Sequence, residues 1–140
     1  AKTYTPRYSV IDVNTADTTA LIALPGIGSK LAMRIINFRD KLGGFYSVTQ
    51  VGETFGLPDS TFQKIKQYLK ADNNSVRKIN INKASVDELK IHPYIKYSLA
   101  NPIIAYRIEH GPFAKVEDLK KVMVVTDEVY NKIALYLFVQ

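Results

Sequence analysis

The stretch Leu24-Pro25-Gly26-Ile27-Gly28-Ser29 interrupts two segments whose apolar residues recur at helical spacing. Leu21 and Leu24 precede or open it, and Leu31, Ala32, Ile35, Ile36 and Phe38 follow at three- and four-residue intervals, which puts them on one helix face. Two glycines around one apolar residue predict a sharp bend between those helices. Without side chains to cover them, peptide N–H groups are left open beside the positive end of the second helix, where a phosphate is stabilised. Ser29 is expected to begin that helix. Asn14, with Asp17 three positions later, is expected to cap the first.

Outward from the bend, Ile11-Asp12-Val13-Asn14-Thr15-Ala16, Leu31-Ala32 and Phe38-Arg39 make residues 11 to 41 resemble a helix-hairpin-helix motif. Through Gly43-Gly44-Phe45, Val48 and Gly56-Leu57 the likeness extends to the double helix-hairpin-helix domain of ComEA-like proteins, in which a second hairpin follows the first. The resemblance implies an all-α, SAM-domain-like fold and sequence-independent binding of double-stranded DNA in competence and DNA uptake. It also implies a place in the cell envelope outside the cytoplasm, with an N-terminal membrane anchor upstream of Ala1. A cytoplasmic location stays open.

Set against itself with a shift of 68 residues, the chain shows a second copy without a gap. Ile11, Asn14, Leu21, Pro25, Ile27, Arg39 and Phe45 recur as Ile79, Asn82, Leu89, Pro93, Ile95, Arg107 and Phe113, and about 19 of the 59 positions from 11 to 69 are identical. The expected architecture is therefore all-α, with two tandem double helix-hairpin-helix domains. An N-terminal extension covers 1–10, the first domain 11–69, a polar linker 70–78 and the second, degenerate domain 79–140. Helices are predicted near 15–23, 29–41, 47–53 and 59–69, and again near 83–91, 98–109, 115–121 and 127–137, with no competing strand pattern.

The chain has 140 residues and a formal net charge of +6. Up to residue 70, nine Lys and Arg stand against five Asp and Glu; beyond it, ten stand against eight. The half with the intact glycine loop is thus the more basic, a direction that suits nucleic acid. The absence of cysteine excludes disulfides, thiolate nucleophiles and cysteine metal sites. No uninterrupted apolar run is long enough to cross a bilayer, so the chain itself is expected to make no membrane contact.

The four hairpins differ in chemistry. In the first, the backbone N–H groups of Gly26, Ile27 and Gly28 and the start of the next helix, at Ser29, are the candidate DNA phosphate site, with Lys30 and Arg34 reaching the same phosphate or its neighbours. The alternative is a bend that only joins helices, with both basic residues on a solvated face. The second hairpin, Phe55-Gly56-Leu57-Pro58-Asp59, keeps one glycine and gains an acid, and is read as structural. The third, His92-Pro93-Tyr94-Ile95-Lys96, has no glycine. Its helix is expected to start at Ser98 with Pro102 in the first turn, and His92 is expected to pack in the interior. In the fourth, Thr126 or Asp127 is expected to cap the last helix. Arg39 and Arg107 either contact phosphate or satisfy backbone carbonyls.

Nothing here predicts catalysis: the only histidines are His92 and His110, and the acids form no spaced cluster. DNA glycosylases with a helix-hairpin-helix carry a lysine further into the helix than Lys30. No cofactor and no metal are expected. The expected partner is double-stranded DNA held by its backbone, with room for a protein partner on the second domain. The alternative is a protein-interaction or envelope scaffold that has lost DNA binding.

Overall fold

A computed structural model describes residues 8–140; residues 1–7 of the expected N-terminal extension lie outside the described residues. Two compact units are present. One holds the described residues up to Asp40 together with Gly44–Val76, the other Lys41–Gly43 together with Arg77–Gln140.

The first unit starts with strand β1 (Ile11–Asp12), helix α1 (Thr18–Ile22) and helix α2 (Ser29–Leu42), whose last two residues count with the second unit. A 3-10 segment at Val48–Glu53, helix α3 (Asp59–Ile65) with a 3-10 extension at Lys66–Tyr68, and strand β2 (Leu69–Lys70) follow. The second unit repeats the order: β3 (Ile79–Asn80), α4 (Val86–Ile91), α5 (Lys96–His110), a 3-10 segment at Val116–Lys121, α6 (Asp127–Ile133) with an extension at Ala134–Tyr136, and β4 (Leu137–Phe138). The architecture is all-α. Its strands are two-residue parallel ladders, with Ile11 beside Leu69 in one unit and Ile79 beside Leu137 in the other. Sequence gave no sign of them, because two residues are too few for an alternation. Each ladder ties the entry of its unit to the exit.

The 68-residue repeat is a repeat of core positions. Leu21 and Leu89, Ala32 and Ala100, Ile35 and Ile103, Phe45 and Phe113, and Ile65 and Ile133 are all buried. Phe45 and Phe113 plug their cores.

Three local expectations are corrected. Asn14 does not cap α1; Asp17 does, its carboxylate accepting the Ala20 N–H at 2.9 Å. Asn14 instead clamps distant backbone. Its side-chain oxygen accepts the Phe45 N–H at 2.7 Å and its amide donates to the Phe45 and Asp72 carbonyls at 2.9 and 2.8 Å. Asn82 repeats the clamp on Phe113. In α5 the helix begins at Lys96, not Ser98, because the Ile95 and Lys96 N–H groups both close on the His92 carbonyl and launch it early. Pro102 therefore lies inside the helix, where it supplies no N–H to the turn before it.

Candidate nucleic-acid interface

The first bend is held from within. Ile27 is core, 4% exposed, and its N–H donates to the Leu24 carbonyl at 3.3 Å, so its backbone group is engaged in the bend rather than open. Gly26 has φ +79°, a left-handed conformation that a side chain would strain, and it faces Thr61. Gly28 is open: an added Cβ would meet nothing within 4 Å. Its carbonyl accepts the Ala32 N–H at 2.9 Å, so α2 starts there, and Ser29 and Lys30 stand exposed in its first turn. First-turn amides have no acceptor further back along the helix.

Ser29 and Lys30 thus directly follow the open Gly28, whereas Arg34 reaches elsewhere. Its guanidinium carbon sits 5.2 Å from the centre of the Phe55 ring, and the same group fills the space that a side chain on Gly56 would need. Arg34 lies across the second loop.

The second loop copies the first at a distance of 30 residues. The Leu57 N–H donates to the Thr54 carbonyl as Ile27 does to Leu24, and the Phe62 N–H donates to Pro58 as Ala32 does to Gly28. Gly56 has φ +81°. At its tip Phe55 is 81% exposed. Charge differs between the two loops: Asp59 opens α3 where Ser29 opens α2.

The corresponding loops of the second unit carry no glycine. Tyr94 replaces Gly26, and the positive φ moves to Lys96, at +54°. His92 is 2% exposed between Tyr94 and Tyr136. Its Nδ1 accepts the Tyr94 N–H at 3.1 Å, so Nε2 carries the hydrogen and donates to the Leu42 carbonyl at 3.0 Å. Burial outweighs that bond and lowers the pKa from 6.5 to about 4. Between those values the unfolded chain binds a proton that the folded unit refuses, so His92 makes stability fall as pH drops from 6.5 toward 4 and level off below. The expected result is that the unfolding free-energy difference between the protein and His92→Gln narrows across that window in denaturant titrations. A difference constant with pH would refute it. In the fourth hairpin Thr126 is the cap, accepting the Val129 N–H.

The repeated arginines are structural. Arg39 donates from one nitrogen to the Val13 and Ala16 carbonyls at 3.2 and 2.7 Å, and Arg107 to those of Ile81 and Ala84 at 2.9 and 2.8 Å. Both satisfy the turn that precedes the first helix of their unit, not their own helix end.

Among the described residues no helix is long and apolar enough to cross a membrane. Endonuclease/exonuclease/phosphatase family domain-containing protein 1 of Danio rerio is 28% identical over 93% of this chain and 27% of its own length. The Homo sapiens protein of that name is 23% identical over 93% of the chain and 28% of its length. The chain therefore spans little more than a quarter of these relatives. ComE operon protein 1 of Bacillus subtilis is 35% identical over 46% of the chain and 32% of its own length. The helix-hairpin-helix motif family matches residues 7–70 and 74–138. With both units matched nearly end to end, the chain belongs to the helix-hairpin-helix family and carries its motif in two tandem copies.

Proposed function

We propose that this chain binds double-stranded DNA through the phosphate backbone, without regard to base sequence and without a catalytic step of its own, and that the first hairpin makes the main contact. The observation that carries this reading is the uncovered backbone at Gly28 where the 14-residue α2 begins, with Ser29 and Lys30 exposed in its first turn. An amide-lined bend at a helix start attracts phosphate oxygens and offers nothing that distinguishes one base from another. The likeness to ComEA-like proteins extends the proposal to DNA uptake, in the cell envelope outside the cytoplasm.

A bend of this kind with a few basic side chains neutralises roughly two to four phosphates, which gives a log–log salt slope of about −2 to −4. Labelled duplexes of several unrelated sequences, titrated at low and moderate salt, test both statements. Equal affinities and a slope in that range support the proposal; no binding at low salt, or marked preference for one sequence, overturns it. A second reading, docking of a protein partner by the second unit, draws on Met123 and Val124, which are 96% and 44% exposed at the tip of the fourth hairpin.

A further inference from the structure

Two contacts share one geometry, and a third places the remaining loop beside the helix that would serve it. Arg34, the sixth residue of α2, reaches across to Phe55 and Gly56 in the loop of the other hairpin. Lys132, the sixth residue of α6, reaches across to the third hairpin, its ammonium 4.3 Å from the centre of the Tyr94 ring. Tyr94 stands where the first unit has Gly26. In the opposite sense within the first unit, Gly26 faces α3, with Thr61 Cγ2 3.1 Å from where a side chain on Gly26 would begin. A basic residue at the sixth helix position thus serves the loop of the neighbouring hairpin, not its own.

Lys64 is the sixth residue of α3. It is the counterpart of Arg34 at 30 residues and of Lys132 at 68. It follows Thr61 by three positions, hence on the same helix face, and it is exposed. We propose that Lys64 is a phosphate-binding residue of the first hairpin: its ammonium crosses from α3 to the glycine loop and joins Lys30 there, while Arg34 belongs to the second loop. This assignment rests on the proposed DNA-binding function and changes the site from one hairpin with two of its own cations to a crossed pair of hairpins. The second unit kept half of the device, Lys132, and lost the other half where Pro102 replaces Arg34.

The test is a double-mutant cycle on duplex binding at low salt, with Lys64→Gln, Lys64→Arg and Arg34→Gln each made in the protein and in Gly28→Asp. Lys64→Gln should weaken binding about three- to tenfold and reduce the salt slope by about one, and Lys64→Arg should restore most of both. In Gly28→Asp, where the shared anion is already lost, Lys64→Gln should change affinity less than about twofold, whereas Arg34→Gln should act by the same factor in both backgrounds. Thermal unfolding checks that the variants fold. If the parent protein binds and Gly28→Asp binds at least tenfold more weakly, yet Lys64→Gln is silent or its effect multiplies independently with that of Gly28→Asp, the crossed assignment is wrong and the DNA-binding proposal stands. If the parent protein fails to bind duplex, both fall.

Discussion

Gly28→Asp should keep its fold and lose at least nine-tenths of its duplex affinity. The two halves of that expectation come from different facts about one position. A side chain there meets nothing within 4 Å, and Gly28 is absent from the left-handed conformations adopted by Gly26 and Gly56. The residue also directly precedes α2, where aspartate is a favoured cap, so thermal stability should be unchanged or slightly raised. Function should go the other way. The carboxylate would occupy the ground over Ser29 and Lys30 that the proposal gives to a phosphate, replacing attraction by repulsion, and a tenfold loss is about 1.4 kcal/mol. Gly26 would be a poor probe, since strain at φ +79° and the approach of Thr61 would confuse folding with binding. Titration of labelled duplex beside a melting curve reads both quantities. Unchanged affinity in a folded variant removes the first hairpin from the mechanism.

What the sequence made legible was everything expressed at short range or by repetition. The glycine bend, the helix faces on either side and the 68-residue period all follow from residues near one another or from identity between copies, and Ile35 with its repeat Ile103 is buried on the face that reading gave it. Long-range partners were not legible. Asn14 followed three positions later by Asp17 looks like a capping pattern, and nothing local says that the amide reaches 31 and 58 residues ahead instead. A signal existed in the second copy: Asn82 is retained while the acid becomes Ser85, which caps α4 by itself. A residue kept while its supposed capping partner changes has another task. Arg34 was misplaced for a related reason. Spacing along α2 puts it one turn beyond Lys30, but the packing of the two hairpins against each other decides which loop it meets. Thr54 shows the reverse case: its buried hydroxyl has no hydrogen-bond partner among the described residues, and its counterpart in the second unit is the apolar Val122.

The largest expected loss of stability in the first unit from a polar side chain is that of Asn14→Ala. One amide there holds the N–H and the carbonyl of Phe45, a residue with no exposed surface, and the carbonyl of Asp72 beyond β2. Truncation leaves all three backbone groups without that partner. Each such bond contributes about 0.5–1.5 kcal/mol, and the two at Phe45 carry a further penalty for groups shielded from water, so about 3 kcal/mol is expected in urea or guanidinium unfolding. Asn82→Ala should cost the second unit less, because its clamp on Phe113 has no counterpart of the Asp72 bond. Asn14→Asp separates the two halves of the clamp: a carboxylate still accepts from the Phe45 N–H but donates to neither carbonyl, so it should recover only a minor part of the loss. A cost below about 1 kcal/mol for Asn14→Ala would mean that the ladder of β1 on β2 and the packing of Phe45 position the bend unaided. The crossed hairpins would then owe their geometry to the core alone.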